Sequence, residues 1–575
     1  MRTRTLQFLA TFGPAFGAVA LCGACVTAGS KLPPGPNKPI PGKDAPALDR
    51  ATQARQALNR LTFGARPGDV EIVEKMGVEQ WIDLQLHPER IPDAKADQLL
   101  DLLETQRKQP FELIADHPNP EELAPRLKPR IGVDNAPAAP DAADTLRYRR
   151  SQLTVNALVA QAPVSKLLRA MQSDRQLLEV MVDFWENHFS VSIAKSPNRY
   201  SMVQYDRDVI RPHALGKFRD LLGAVAKSPQ MLYYLDQWQS NVDSLHPTIP
   251  EARIAARRAS MATPPMGDSG LLTIVNHRRS VLNENYAREL MELHTLGVNG
   301  GYAQHDVVEV ARCLTGWTID RPELGGTFLF RQDAHDAGEK TVLGTRIPAG
   351  GGVDDGERVL DMLAKHPSTA HYIARKLAIR FVSDTPPAAL VERAAQTFLN
   401  TDGDIREVMR TLVTSPEFFS EAAFRAKVKT PFELVASTLR ALDAAPDTTP
   451  RSVQVVARLG QPTWQHLTPD GWPEYGEAWM NAGALLNRVN FGVQVANGGM
   501  PGVSVAKWSE APRIVTLPAA AQVQAVIDDL LSGRASPQTR DAMMAAATST
   551  DAQQPIKRLG ELVAIAIGSP EFQRR

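Results

Sequence analysis

Asn285, Arg288, Glu289 and Glu292 recur at i, i+3, i+4 and i+7. A helix with that spacing brings all four side chains to one face. The face could be a salt-bridged solvent surface, since opposite charges at i, i+3 and i+4 commonly pair there. It could equally be a carboxylate pair whose charge state an arginine fixes, with Glu289 or Glu292 as general acid or base. A ferritin-like di-iron site would need Glu-x-x-His, and Thr295 stands where that histidine would follow Glu292.

Three further segments carry chemistry-bearing residues. In LLEVMVDFWENHFSV (177–191), Leu177, Met181, Phe184 and His188 share one stripe, extended by Trp185 and Phe189. His188, beside the amide of Asn187, therefore points inward or into a cleft. It is either a hydrogen-bonded core histidine or a base or ligand whose pKa burial lowers. In FLFRQDAHDAGEKTVLG (328–344), His335, Asp336 and Lys340 lie in a Gly-containing turn. They form either a plain turn or a site in which His335 and Asp336 ligate a metal, or Asp336 orients an imidazole. In TPDGWP (468–473) a strong turn signal precedes Trp472, which with Trp464 and Trp479 could anchor a loop or offer a platform to a sugar ring.

Amphipathic helical patterns dominate the elements that must position these residues. Asn283 is placed to cap the helix carrying Glu289, and Glu284 complements its positive end. Gly297, Gly300 and Gly301 make a turn, after which Val307, Val310, Ala311 and Leu314 restart the stripe. Ser228-Pro229, Ser415-Pro416 and Ser569-Pro570 each follow an apolar segment, the pattern of a serine cap with proline at the first helical position. The fold class expected is mainly α: a large multi-helix body of helix-turn-helix units with long loops. At most one short β-hairpin is expected, between Gly326 and Gly344. Residues 48–575 read as a single large domain, with a two-lobed split near 245–270 as the alternative.

Of 575 residues, 43% are hydrophobic and 22% charged, ordinary for a globular protein. Lys plus Arg and Asp plus Glu total 64 each, without a basic tract, which argues against nucleic acid as principal partner. Residues 1–28 read as a signal peptide, with Arg2 and Arg4 before an apolar run and small residues after it. Gly23-Ala24-Cys25 also resembles the end of a lipobox, which would make Cys25 a lipidation site and supply the only expected tie to a membrane. Residues 29–47 are a Pro/Gly-rich tether. The chain is thus expected to be exported, to the periplasm or outer envelope. Only Cys313 remains in the body, beside an apolar helical stripe where it reads as core. The sequence has no HExxH, GxSxG, Walker, GxGxxG or CxxCH motif, which disfavours the corresponding enzyme classes.

Taken in order, ALNRLTFGARPGD (57–69), FWENHF (184–189), NENYARELMELHTLGVNGGY (283–302), ARCLTGWTI (311–319), HDAGEKTVLG (335–344), KVKTPFEL (427–434) and TPDGWP (468–473) resemble the bacterial domain-of-unknown-function 1800 family. The resemblance implies a mostly α-helical, exported protein without an established activity or known cofactor. It also implies a partnership with a secreted phosphatase- or sulfatase-like protein of the domain-of-unknown-function 1501 family, through gene association. Two departures stand out. Glu186 occupies a position where relatives often have a second histidine, which weakens a paired-histidine metal site. Ala303 replaces the usual Thr or Ser cap, leaving that task to Gln304 or Asp306.

These readings combine into one expectation. His188, Arg288, Glu289, Glu292, His335, Asp336 and Lys340 surround a polar cleft, with Asn187, Asn285 and Trp472 as further substrate contacts. The cleft either hydrolyses an envelope or extracellular polymer or belongs to a non-catalytic partner of the phosphatase-like protein.

Overall fold

Apolar residues at helical spacing, bounded by Ser, Thr, Asn or Asp caps, recur along this chain, and helices are what they form. The computed structural model describes residues 47–120, 130–131, 137–138, 142–195, 198–243, 246–260, 282–549 and 554–575. Residues 1–28, expected to form a signal peptide with Cys25, the expected tether up to residue 46 and the stretch 261–281 lie outside the described residues. The protein is mainly α. Eight helices position the chemistry-bearing residues: α1 (Gln161–Gln172), α2 (Gln176–His188), α3 (Glu284–Glu292), α4 (Gln304–Cys313), α5 (Pro367–Phe381), α6 (Pro431–Ala441), α7 (Ala482–Ala496) and α8 (Pro555–Gly568).

The caps follow the chemistry of the residues. Asn283 Oδ1 accepts from Tyr286 N at 3.0 Å, starting α3. For α4, Ala303 has no side-chain acceptor, and Asp306 takes over by accepting from Ala303 N at 2.9 Å. Ser228, Ser415 and Ser569 each accept the N–H three residues on, at 3.2, 3.1 and 3.3 Å. Only the first of these opens a helix, Pro229–Tyr234; the other two close isolated turns.

The strands exceed the single hairpin expected. β1 (Arg130–Ile131) pairs with β2 (Pro137–Ala138), β3 (Trp317–Ile319) with β4 (Phe328–Phe330), and β5 (Lys340–Val342) with β6 (Thr345–Ile347), all antiparallel. The segment 326–344 is therefore shared between two hairpins. The second turns on Leu343 and Gly344, both at positive φ (48° and 75°), as a two-residue hairpin loop requires.

One continuous hydrophobic cluster runs from Ala54 to Phe572 and includes Phe184, Trp185, Phe189, Leu290, Met291 and Phe432. A small satellite gathers Leu113, Val155, Leu158 and Tyr200. Cys313 lies in the main cluster, where burial pushes its thiol up to about 12 and keeps it protonated. Among the described residues, no helix is long and apolar enough to cross a membrane.

Candidate functional site

α2 presents Asp183, Glu186 and Asn187 at i, i+3 and i+4, so one helical face carries all three. That face forms a wall of a small cleft, about 40 Å³ in volume and partly open to solvent. Lys166 of α1, Arg380 of α5, the start of α6 at Thr430 and Phe432, and the segment 461–474 complete it.

The segment 461–474 is pinned to α2 by one amide. Asn187 Oδ1 accepts from Trp472 N at 2.6 Å, and its Nδ2 donates to Trp472 O at 2.8 Å and Glu474 Oε1 at 3.2 Å. The approach is close enough to demand glycine at 471. Its φ is +74°, and a Cβ there would lie 2.2 Å from Asn187 O. Trp464 holds φ at +63°, a strained value for a bulky residue, and lines the cleft with Trp472. The Trp472 ring lies 4.6 Å from His466 and 5.9 Å from Trp479.

Ion pairs link the cleft walls. Lys166 Nζ reaches Asp183 Oδ1 at 2.7 Å and Glu186 Oε2 at 2.6 Å. Arg380 Nη2 reaches Asp183 Oδ2 at 2.6 Å and Glu433 Oε1 at 3.0 Å, and its Nη1 reaches Glu474 Oε2 at 3.3 Å. Asp183 therefore has a cation on each oxygen. Burial pushes its pKa up, but Lys166 and Arg380 more than offset that, and it falls below its ordinary value. Glu186 goes the other way. Burial raises it, Lys166 opposes only in part, and the charges of Asp206 and Asp183 raise it further. Asp206 comes from Tyr205–Ile210, a π-helical segment.

One lysine thus serves two carboxylates, and the surroundings favour the charged form of Asp183 and the protonated form of Glu186. Glu186 Oε2 accepts from Lys166, which leaves Oε1 as the oxygen that a proton would occupy. Glu186 is only 3% exposed, and Oε1 has no protein partner among the described residues. Thr463 Oγ1, also on the cleft wall, is unpartnered too. A buried carboxyl group of raised pKa on a cleft wall is of the kind that general acids use.

The residues singled out from sequence divide into three groups. Asn187 and Trp472 line the cleft. His188 lies behind it, 2% exposed, with Nε2 donating to His294 O at 3.2 Å and Nδ1 accepting from Lys376 Nζ at 2.8 Å. Burial, with the charge of Lys376, holds His188 well below its usual pKa and therefore neutral. No hydrogen bond joins His188 to Glu289 or Glu292. On α3, Glu289 is half-buried, its pKa raised by burial and by the charges of Glu292 and Asp470. Glu292 accepts from the Tyr302 hydroxyl at 3.2 Å, Arg288 donates to Gln304 at 3.0 Å, and Asn285 is exposed.

His335, Asp336 and Lys340 do not join that cleft, contrary to the single-cleft expectation. They are sealed in a separate cluster because Asp355 and Arg312 draw them inward. Lys340 Nζ reaches Asp355 Oδ2 at 2.8 Å, His335 Nε2 meets the same oxygen at 3.3 Å, and Arg312 Nε reaches Asp336 Oδ2 at 2.7 Å. Among the described residues no group of three His, Cys, Asp or Glu side chains is placed to hold a metal ion.

Sequence reasoning passed over Glu186 as a site residue, and with it Lys166, Asp183, Arg380, Glu474 and Lys376. The one local signal was a pair of acids, Asp183 and Glu186, on a helix otherwise rich in buried apolar residues.

A family model described as "Protein of unknown function (DUF1800)" matches residues 56–574, and the chain belongs to that family. No curated protein and no solved structure matches it.

Proposed function

We propose, from the premise of that membership, that the chain is an exported hydrolase of an envelope or extracellular polymer, acting through the Glu186 cleft on a glycan-type substrate. The observation that carries this reading is the buried Glu186 carboxyl on the cleft wall, whose Oε1 has no protein partner and whose pKa burial raises. Trp472, half-buried on the cleft wall, is an aromatic side chain of the kind that stacks on a sugar ring. Glu186 would donate its proton to the bridging oxygen as the glycosidic C–O bond breaks. Glu474 is held more loosely than Asp183, at 3.2 and 3.3 Å, and is the carboxylate suited to take a proton from the attacking water. Export rests on the leader sequence, and attachment through Cys25 remains part of the proposal.

The test is release of reducing ends from purified envelope glycans by the mature chain. Glu186→Gln should lower that release by about 10²- to 10⁴-fold, the usual range for a lost general acid, with melting temperature little changed. Turnover equal to the wild type in Glu186→Gln would remove the assignment.

A second reading, the non-catalytic partner of a phosphatase- or sulfatase-like protein of the 1501 family, draws on a different surface. α7 exposes Leu485, Leu486, Val489 and Val493 along one side, with Leu486 at 61% exposure. Such contiguous apolar side chains suit docking. Co-purification with the 1501-family protein, lost in Leu486→Glu, would favour this reading, and unchanged co-purification would count against it.

A further inference from the structure

His466 lies on the cleft wall with its side chain 22% exposed, so a ligand at the cleft can reach it. Hydrogen bonds fix which ring nitrogen is left for that ligand. Thr468 Oγ1 donates its one hydrogen to Asp470 Oδ1 at 2.5 Å. Toward His466 Nε2, 2.9 Å away, the same oxygen can therefore only accept. Asp470 Oδ1 also accepts from Nε2, at 3.2 Å. Burial pushes the Asp470 carboxyl up, but the hydrogen bonds from Thr468 and His466 outweigh that, and the group is ionised. Nε2 thus carries the hydrogen, and the neutral ring has its lone pair on Nδ1. Neither Thr468 nor Asp470 lines the cleft, and Nδ1 has no hydrogen-bond partner among the described residues.

The charges around the cleft favour an uncharged ligand. Lys166 and Arg380 are the cations that line it. Lys166 is held by Asp183 and Glu186, and Arg380 by Asp183, Glu433 and Glu474. Two cations therefore face four carboxyl groups, and Asp470 adds a further negative charge behind His466. The volume of about 40 Å³ has room for one small group, so a sugar ring lies across the mouth with a substituent inside.

We propose, building on the glycan reading of the cleft, that His466 binds substrate by accepting a hydrogen bond at Nδ1 from a hydroxyl of an uncharged sugar unit, and that the cleft discriminates against uronic, phosphorylated and sulfated sugars. A hydroxyl supplies the hydrogen that Nδ1 needs. Thr463 Oγ1, unpartnered on the same wall, can donate to a sugar oxygen in return. The Trp472 ring, 4.6 Å from the imidazole, lies where the sugar would rest. An ionised carboxylate, phosphate or sulfate brings acceptors only, so it has nothing for Nδ1 and meets the surplus of carboxyl groups. Asp470 and Thr468 are positioning residues, which act by holding the ring and its tautomer.

The experiment splits purified envelope glycans by anion exchange into uncharged and acidic fractions and measures release of reducing ends from each. At equal sugar concentration the uncharged fraction should be cleaved about tenfold or more faster. Equal rates, or faster release from the acidic fraction, would overturn the substrate class. No release from either would remove the hydrolytic reading, and the substrate class with it. In His466→Phe, which keeps a ring beside Trp472, KM for the uncharged fraction should rise about three- to tenfold with kcat little changed. An unchanged KM would overturn the role of His466. Nitrogen-15 NMR of the His466 ring in the wild-type chain, in mildly alkaline buffer, reads the tautomer without turnover. A hydrogen on Nε2 and a bare Nδ1 is the expected pattern, and the reverse would overturn the role of His466 whatever the rates show. The fraction comparison and the NMR both use the wild type, so they decide even if the variant fails to fold.

Discussion

Two buried carboxyl groups, each touched by a lysine, shift in opposite directions. Asp355 sits between Lys340 and His335 with all three side chains fully buried. Burial pushes its pKa up, but the hydrogen bonds from His335 and Lys340 outweigh that, and it is ionised. Backbone closes over it, since a Cβ on Gly351 would lie 1.9 Å from Oδ1. Glu186 shares its lysine with Asp183, has its pKa raised by burial, and lines the cleft. Burial of charge is common to both regions. Pairing and access differ, and those two properties separate a group that holds the fold from one that can exchange a proton with a ligand.

The sharpest way to break this contrast is to neutralise each acid. Asp355→Asn leaves Lys340 buried without its counter-charge and should cost about 3–5 kcal/mol in urea unfolding. Glu186→Gln replaces a neutral acid by a neutral amide and should cost about 1 kcal/mol or less. If the two losses match, Glu186 is ionised and the distinction collapses.

Next in size is Gly471→Ala. A left-handed φ and a Cβ clash with Asn187 O should lower stability by about 2 kcal/mol or more and loosen the segment over the cleft. Limited proteolysis near residues 466–474 reads that loosening directly. No gain in cleavage would mean that the loop is held elsewhere.

A pH series sharpens the comparison further. Glu186 has a folded pKa above its unfolded one, so the folded state binds the extra proton and stability falls as pH rises between the two. Its contribution is complete below the ordinary carboxylate range and lost as pH climbs through the raised value. The slope should reach about 1.4 kcal/mol per pH unit at most and vanish in Glu186→Gln. Asp355 has the opposite sign, its contribution being lost as pH falls through its depressed value.

The smallest effects belong to α3. Asn283→Ala should cost about 1 kcal/mol through the lost cap, and Arg288→Ala less than about 0.5 kcal/mol. A larger loss for Arg288 would show that its face is more than solvated surface.

Local chemistry explains what was legible in the sequence. The cap of α3, the serine turns, the inward direction of His188 and the turn at Gly471 are all set by neighbours within a few residues. The partner of Glu186 lies 20 residues away on α1, and that of His188 lies 188 residues away on α5. No periodicity encodes such pairs. His335, Asp336 and Lys340 read as exposed turn residues for the same reason, because Arg312 and Asp355, which bury them, lie outside the turn.

The most direct measurement is the infrared difference spectrum between wild type and Glu186→Gln at neutral pH. Loss of a protonated carboxylic-acid carbonyl band in the variant is the predicted result, since Glu186 carries its proton on the cleft wall. Loss of a carboxylate band instead would place a charge on Glu186 and contradict the account.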